Sequence, residues 1–194
     1  MIDGIILASG FSERMGKNKL LLSLGSDTVV EKVIIAAIAS ELNEIILVCR
    51  DERLMEIGKS LGVKPVMNKN AILGQAESVK LGVAASEADG YLFLAADQPY
   101  ITPGFIDLLI EKHMETGKGI IAPVLRNKIK MPILFSKSYR EDLLRVQGEH
   151  GGFEIIEGNP EDIELVEVEN ERLVADVDTL DDYRWLMANG GELL

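Results

Sequence analysis

The chain has 194 residues, 47% of them hydrophobic, and a formal net charge of −12 at pH 7. This length suits one domain with a substantial core. The negative charge repels nucleic acids and anionic membrane surfaces, so we expect neither as a partner. The single cysteine, Cys49, cannot form an internal disulfide, and no stretch approaches the roughly 20 apolar residues of a membrane helix. We therefore expect a cytoplasmic protein in which Cys49 is a buried thiol.

The first half of the chain alternates short apolar runs with longer segments whose apolar residues recur at helical spacing. The runs are typical of strands buried on both faces, and the helical spacing is typical of helices that cover a sheet. This alternation predicts an α/β fold with a doubly wound, mostly parallel sheet and right-handed crossovers. The predicted strands are Ile2 to Ala8, Glu44 to Cys49, Tyr91 to Ala96 and Gly119 to Val124.

Residue types at the ends of the helical segments support their boundaries. Thr28 and Glu31 have the spacing of a capping box, and Thr102–Pro103 suits the first residues of a helix. Gly62 and Gly117 stand where helices are expected to end.

The pattern changes after Val124. A strand is predicted from Met131 to Ser136, a helix from Tyr139 to Val146 and a glycine-rich loop from Gly148 to Gly152. A further strand and a closing helix are predicted at Ile163 to Val168 and Thr179 to Ala188. We interpret residues 125–160 as an insertion or lid on a single domain that spans residues 1–194.

The loop after the first predicted strand combines small residues with cations. Ligands bind parallel sheets at the carboxyl ends of the strands, where Leu7 to Gly10 are expected to lie. Small residues let backbone N–H groups approach an anion, and Arg14, Lys17 and Lys19 add positive charge to an acidic chain. The glycine spacing excludes the P-loop and GxGxxG patterns. The residues alone leave open an anion-binding loop and a plain glycine turn with surface lysines.

Five motifs in chain order carry a resemblance to a known family. The segment LASGFSERMGKNK resembles the signature loop of the MobA-like nucleotidyltransferases, and within them the chain is most similar to the molybdenum cofactor cytidylyltransferases. The other motifs are GQAESVKLGV, LAADQPYI, PILFSKSYREDLLRVQGEHGG and DVDTLDDY. The resemblance implies a three-layer, Rossmann-like sheet of the nucleotide-diphospho-sugar transferase type. It also implies an enzyme that transfers a nucleotidyl group and releases pyrophosphate.

The resemblance assigns the nucleotide to the first loop. Arg14 is expected to grip the outer phosphates and Lys19 to neutralise the α-phosphate, which suits a guanidinium fork and a mobile ammonium. Lys17 has no counterpart in the motif, and we interpret it as a solvated lysine. The base and phosphates are expected to lie against Leu7, Ala8, Ser9 and Gly10.

Two distant carboxylates are candidate ligands of Mg²⁺. Asp97 follows the predicted strand that ends at Ala96, and Asp178 lies in the last motif. Mg²⁺ keeps several waters and is often bound by one or two carboxylates plus phosphate oxygens. Without the resemblance, equally good roles are a turn cap for Asp97 and a helix start for Asp178. Asp176 is the alternative ligand in its segment. With Lys19 and Arg14, Asp97 completes the predicted catalytic set.

Three polar residues match family positions that read the base and ribose: Asn68, Gln75 and Ser78. The choice between cytidine and guanosine would depend on which hydrogen-bonding groups the wrong base leaves unpaired. An alternative for Gln75 is a residue of the first helical turn whose amide faces water.

The acceptor side departs from the family pattern. Lys130 and Met131 stand where members usually have Gly-His or Gly-Asn, and Phe153 replaces a cation. The predicted acceptor residues are Met131, Pro132, His150 and Gly151. An acceptor that is a phosphomonoester has a second pKa of about 6 and arrives as a dianion, so it needs no general base.

The leading hypothesis is an Mg²⁺-dependent enzyme that moves CMP from CTP to molybdopterin, a phosphorylated pterin, and serves a molybdenum hydroxylase as client protein. A second hypothesis keeps the reaction but transfers CMP to a sugar phosphate or an alcohol phosphate. A third is a nucleotide-binding maturation factor without turnover, which the altered acceptor loop favours and the intact Lys19 and Asp97 oppose.

Overall fold

The computed structural model describes residues 1–11, 18–149 and 151–189. Arg14, Lys17 and His150, three residues discussed above, lie outside them. The described strands are β1 (Ile2–Ala8), β2 (Ser23–Leu24), β3 (Asp27–Thr28), β4 (Ile45–Cys49), β5 (Lys64–Met67), β6 (Gly90–Ala95), β7 (Ile120–Leu125), β8 (Lys128–Ile129), β9 (Ile133–Ser136) and β10 (Ile163–Glu167). The helices are α1 (Val29–Ile38), α2 (Glu52–Ser60), α3 (Gln75–Ala85), α4 (Pro103–Thr116), α5 (Arg140–Leu143), α6 (Phe153–Gly158) and α7 (Leu180–Asn189).

One mixed sheet forms the centre of the protein, with the strand order β10-β7-β9-β6-β1-β4-β5. Strands β6, β1, β4 and β5 are mutually parallel, and β10 is parallel to β7. Strand β9 is antiparallel to both of its neighbours, β6 and β7, and β8 pairs antiparallel with β7. The prediction of a mostly parallel α/β sheet is confirmed.

Helices cover both faces of this sheet and give three layers. Ile6 of β1 packs in one hydrophobic core with helices α1 and α4, while its neighbour Ile5 packs in the other with α3. Both isoleucines are fully buried. Because successive side chains of a strand point to opposite faces, a strand covered on both sides is apolar throughout. This explains the continuous apolar runs in the sequence.

The predicted starts of α1 and α4 and the predicted end of α4 are confirmed by their capping contacts. The Thr28 backbone N–H donates to Oε2 of Glu31 at 2.6 Å, and the Glu31 N–H donates back to Oγ1 of Thr28 at 3.4 Å. Pro103 opens α4, and Gly117 ends it in a left-handed conformation with φ of 67°. Such a conformation strains residues with a Cβ, which is why glycine is common there.

The sequence did not predict β5 or α6. Strand β5 contains Pro65, which lacks an N–H donor, and such a strand is tolerated because β5 lies at the edge of the sheet. Helix α6 directly follows a run of glycines, which favours a turn over a helix. The helix predicted from Tyr139 to Val146 is only the short α5, preceded by a 3₁₀ turn at Lys137–Tyr139.

Cys49 is fully buried at the end of β4, as expected. Burial raises the pKa of its thiol to about 11, and the nearby charge of Asp51 adds to this effect. Among the described residues, no helix has the length and apolar character needed to cross a membrane.

Candidate active site

A pocket of about 330 Å³ opens at the carboxyl ends of β1 and β6. One wall is the loop after β1, which includes Ser9 and Gly10, and the opposite wall is the start of α3. This volume lies in the range of small-molecule sites. The described lining residues are Leu7, Ser9, Gly10, Phe11, Ala71, Gly74, Gln75, Ser78, Ala95, Asp97 and Glu149.

A buried hydrogen-bond network holds the two walls together. The Asn68 amide donates to Oγ of Ser78 at 3.0 Å and to Oγ of Ser9 at 3.4 Å. Ser9 in turn donates to the Val48 carbonyl at 3.3 Å, and the Asn70 N–H donates to the Asn68 side chain at 3.0 Å. Asn68 is 2% exposed and does not line the pocket. In the structure it lies behind the pocket wall and ties its parts together.

The start of α3 is covered by the loop that contains Gly148. The Ala76 N–H donates to the Gly148 carbonyl at 3.0 Å, and Gly74 passes so close that a Cβ there would collide with that carbonyl. Gly74 also has φ of 105°, which residues with a Cβ rarely adopt. This close approach brings Glu149 to the pocket wall.

Arg50, which follows β4, supports the mouth of the pocket. Its guanidinium carbon lies 4.1 Å from the centre of the Phe11 ring, and its Nε lies 3.5 Å from the Gly10 carbonyl oxygen. A guanidinium over an aromatic face is held by cation–π attraction. Arg50 has no signal in the sequence, because the contact depends on two strands that are neighbours only in the sheet.

Lys19 joins two acidic segments that are far apart in the chain. Its Nζ lies 2.6 Å from Oδ2 of Asp97 and 2.8 Å from Oδ1 of Asp178. The side chains of Lys19 and Asp97 are 13% and 22% exposed, whereas that of Asp178 is 52% exposed. The structure therefore brings together the predicted lysine and both predicted metal ligands. Asp97 also faces the pocket.

Backbone and side-chain contacts fix this arrangement. The Val177 N–H donates to the Asp97 carbonyl at 2.9 Å, which anchors the segment that carries Asp178. On the other side, Asn18 caps the 3₁₀ turn at Lys19–Leu21 by accepting from the Leu20 N–H at 3.2 Å. The Asn18 amide donates to Asp51 at 3.0 Å, so the turn is tied to the sheet edge.

Two groups of the cluster, Lys19 and Asp176, have pKa values above their ordinary values. Burial by itself lowers the pKa of Lys19, but the charges of Asp97 and Asp178 outweigh burial and leave it above its ordinary value. Burial raises the pKa of Asp176, and the negative charge of Asp97 raises it further, against a hydrogen bond from Gln98. The neighbouring acids thus favour a cation between them.

Asp176 is held differently from Asp178. Its Oδ1 accepts from the Gln98 amide at 2.9 Å, and its Oδ2 lies 3.8 Å from Nζ of Lys130. Lys130, which replaces the usual family residue, therefore pairs with an acid of this segment. Asp176 does not share Lys19 with the other two carboxylates.

Asp97 and Asp178 have the donor chemistry for a hard divalent cation. Carboxylate oxygens are preferred ligands of Mg²⁺, and one oxygen from each residue lies within 2.8 Å of a single point, the Lys19 ammonium. Among residues 1–11, 18–149 and 151–189, no group of three or more His, Cys, Asp or Glu side chains has the arrangement of a metal site. Two carboxylates suit an ion such as Mg²⁺, which takes its other ligands from substrate phosphates and water.

A second, apolar compartment adjoins the pocket. This slot has a volume of about 110 Å³ and shares Leu7 and Gln75 with the larger pocket. Met131 and Gly151, two of the predicted acceptor residues, line the slot. Pro132, which follows Met131 in the chain, is buried and is not among the lining residues. The predicted residues Arg14 and His150 fall outside the described residues. Gln75 is exposed at the first position of α3 and lies between the two compartments.

Several residues of the site were not predicted. Phe11, Ala71, Gly74 and Glu149 line the pocket without having been singled out as nucleotide ligands. For Gly74 a signal exists in the sequence, because glycine before a helical segment favours a close approach of two backbones. Ala71 lies in a short 3₁₀ turn for which the sequence has no periodicity.

The sequence profile of the MobA-like NTP transferase domain matches residues 4–166. Three curated relatives are similar over most of the chain. The purine catabolism protein PucB of Bacillus subtilis is 28% identical and covers 93% of both chains. The molybdenum cofactor cytidylyltransferase of Escherichia coli is 29% identical over 94% of this chain and 93% of its own. A probable molybdenum cofactor guanylyltransferase of Thermococcus gammatolerans is 28% identical over 72% of each.

The fold is also that of solved nucleotidyltransferases. A nucleotidyl transferase from a Methanothermobacter species superposes with a TM-score of 0.81 at 23% identity, over 97% of this chain and 96% of that one. At this identity the likeness shows the shared fold.

Proposed function

The chain belongs to the MobA-like NTP transferase family and is a nucleotidyltransferase, and we propose that it transfers CMP from CTP to a phosphorylated acceptor. One observation carries the proposal: Lys19, Asp97 and Asp178 meet beside a pocket of nucleotide size at the carboxyl edge of the sheet. Ligands of open α/β sheets bind at this edge. A lysine cation between two acids at this edge is suited to binding a phosphate chain.

The pocket supplies the contacts for the nucleoside part. The end of β1 and the loop after it, from Leu7 to Gly10, hold the nucleotide with backbone groups, and Gln75 and Ser78 on α3 face it from the other side. Asn68 acts through the two serines that it ties together, and so positions the walls without touching the ligand. Exposed Gln75 can offer both an amide donor and an acceptor to the edge of a base.

Lys19 and Arg14 are the proposed charge donors of the reaction. The Lys19 ammonium stabilises the negative charge that builds on the α-phosphate and the departing pyrophosphate. Arg14, in the loop before Lys19, holds the outer phosphates with its guanidinium fork. Lys19 is strongly held by two acids, so binding of a phosphate chain must compete with those ion pairs.

Asp97 and Asp178 are the residues that would hold Mg²⁺. When bound, the ion supplies positive charge that neutralises phosphate oxygens and orients them. Asp97, which faces the pocket and is the less exposed of the two, is the main ligand in this proposal. Asp176 remains paired with Gln98 and Lys130.

The reaction requires positioning more than proton transfer. An oxygen of the acceptor phosphate attacks the α-phosphorus of CTP in line, forming a new P–O bond while the bond to the β-phosphate oxygen breaks. Pyrophosphate leaves with that bonding pair, and the product is a diphosphate-linked CMP ester. Since the acceptor phosphate is already ionised at neutral pH, no general base is needed.

Molybdopterin is the first candidate acceptor, with a molybdenum hydroxylase as the client protein. The names of the Escherichia coli and Thermococcus relatives support the acceptor, and they differ in the transferred base. The name of PucB points to purine breakdown, so other phosphorylated acceptors remain in the screen below. We assign the acceptor to Met131, Pro132, His150 and Gly151, within the segment 125–160 of a single domain.

The test is pyrophosphate release by the purified full chain. CTP, GTP, ATP and UTP are each supplied with Mg²⁺ and molybdopterin, and the nucleotide product is identified by mass spectrometry. We expect pyrophosphate and a cytidine dinucleotide of molybdopterin with CTP. If pyrophosphate is released with GTP alone, the transferred nucleotide is GMP and not CMP. If it is released with another phosphomonoester alone, that compound and not molybdopterin is the acceptor. No pyrophosphate with any nucleotide and any acceptor would refute the proposed function.

A further inference from the structure

The slot beside the nucleotide pocket has walls of a single chemical kind. Among the described residues that line it, Gln75 is the one polar side chain and none is charged. The remaining side chains are aliphatic, aromatic or methionine. They are Leu7, Phe93, Met131, Ile133, Phe135, Phe153 and Ile156.

The floor of the slot is buried and packed ring against ring, and its rim is more exposed. Phe93 and Phe135 are each 2% exposed and pack edge to face, with ring centres 5.9 Å apart. Phe135 also packs edge to face on Tyr139, with centres 6.0 Å apart. By contrast, Phe153 is 39% exposed and Met131 is half-buried. A thioether chain and an exposed ring can adjust to a ligand between them.

Size and position restrict what can enter. The slot volume of about 110 Å³ is somewhat smaller than the ~150 Å³ apolar cavity that is known to accept benzene. The slot joins the nucleotide pocket along Leu7 and Gln75, and the same larger pocket contains Asp97. A molecule with an apolar group in the slot can therefore extend a polar end into the compartment of the transferred phosphate.

We propose that the slot is a specificity site for the acceptor and receives a compact, uncharged apolar group about the size of one six-membered ring. This inference rests on the proposed function only in assigning the slot to the acceptor. Because the pterin ring of molybdopterin is polar, the slot favours the other phosphorylated acceptors of the screen over molybdopterin. A polar ring or a charged group in the slot would leave its hydrogen-bonding atoms unpaired against Phe93, Met131 and Phe135. Phe153 closes over the group as the outer wall.

Three probe compounds test the chemistry of the slot at equilibrium. Phenyl phosphate carries a ring and a phosphate, methyl phosphate lacks the ring, and 4-carboxyphenyl phosphate adds a charge to the ring. Binding to the full chain is measured by titration calorimetry without nucleotide and again with CTP present. We expect phenyl phosphate to bind at least tenfold more tightly than either of the others, with or without CTP.

Two substitutions of the rim test its location. Phe153→Ala removes the outer wall, so it should weaken the binding of phenyl phosphate at least fivefold and leave the binding of methyl phosphate unchanged. Phe153→Leu keeps an apolar wall, so its affinity for phenyl phosphate should stay within twofold of the wild type. Met114→Ala, at a residue that is 78% exposed on α4, is the control for loss of an exposed apolar side chain. Thermal unfolding of each variant verifies that it is folded.

The outcomes separate this inference from the proposed function. Equal binding of the three probes, or a folded Phe153→Ala variant that binds phenyl phosphate like the wild type, would overturn the slot assignment even if CTP is turned over. Selective, Phe153-dependent binding of phenyl phosphate would support the slot even in a protein that releases no pyrophosphate from any nucleotide.

Discussion

The two compartments at the carboxyl edge of the sheet are built by different forces. Hydrogen bonds through Asn68 join the walls of the nucleotide pocket. Ion pairs of Lys19 with Asp97 and Asp178 hold its charged side together. The slot is shaped by apolar side chains, with Phe93 packed edge to face on Phe135. Directional contacts fix where a charged group can lie, whereas packing fixes mainly size and shape. Changes in the first compartment should therefore affect turnover most, and changes in the second should affect choice of acceptor.

The largest effect is expected from Lys19→Ala. Loss of the ammonium removes charge stabilisation of the departing pyrophosphate, so kcat should fall by about 10²–10³-fold. The free energy of unfolding should fall as well, because Asp97, which is only 22% exposed, loses its partner at 2.6 Å, whereas Asp178 is 52% exposed and screened by water. The measurement is steady-state pyrophosphate release together with thermal unfolding. Lys32→Ala, which removes an ion pair with Asp27 at 3.4 Å, is the matched control. A Lys19→Ala enzyme within tenfold of wild-type turnover would contradict the role given to this lysine.

A comparison of Asp97→Asn with Asp178→Asn sharpens the metal assignment. Asp97 faces the pocket and is the less exposed acid, so its loss should lower kcat by about 10²-fold and Asp178→Asn by about tenfold. Both variants should need more Mg²⁺ for half-maximal rate. Asp176→Asn serves as the control, since Asp176 pairs with Gln98 instead. If Asp176→Asn lowered kcat more than Asp97→Asn does, the assignment of the ion to Asp97 would be wrong.

Cys49 should make stability fall at high pH. Its buried thiol has a pKa of about 11, against 9.0 in a model compound, so the folded state keeps a proton that the unfolded chain has released. The unfolded state then binds fewer protons, and the free energy of unfolding falls as pH rises from 9 towards 11, by roughly 2–3 kcal/mol. Urea unfolding across this range measures the fall. Between pH 9 and 11 the free energy of unfolding of the wild type should fall by this amount more than that of Cys49→Ala. Parallel pH dependences in the two proteins would show that the Cys49 thiol does not cause the fall.

The smallest effect concerns Asn68, which joins the walls of the nucleotide pocket. Asn68→Ala leaves the Ser78 hydroxyl and the Asn70 N–H without this partner, at a cost of about 1–3 kcal/mol in the free energy of unfolding. Urea unfolding measures this cost, and KM for CTP should rise as the walls loosen. Lys69→Ala, at the exposed neighbour, should shift stability by less than about 0.5 kcal/mol. Equal shifts in the two variants would mean that the network does not stabilise the fold.

Sequence patterns predicted the parts of the fold that depend on local rules. The apolar run Ile2–Ala8 matches β1, and the Thr28 and Glu31 capping box lies where expected. The same rules did not predict β5, because Pro65 disfavours a strand and is tolerated only at the sheet edge. They did not predict α6, because the glycines before Phe153 favour a loop. The antiparallel insertion of β9 between β6 and β7 also has no local signal, since strand order depends on long-range packing.

The sequence by itself determined which residues carry charge and located the strands and helices with a clear apolar periodicity, because side-chain chemistry and periodicity are properties of neighbouring residues. The resemblance of its motifs to the MobA-like nucleotidyltransferases is what implied that Lys19, Asp97 and Asp178 belong to one site. Only the tertiary structure decided that Lys19 lies between both acids, that Asp97 faces the pocket, and that an apolar slot adjoins it. These relations join segments more than 70 residues apart, as the Lys19–Asp97 separation of 78 shows, and such distances are set by the packing of the sheet.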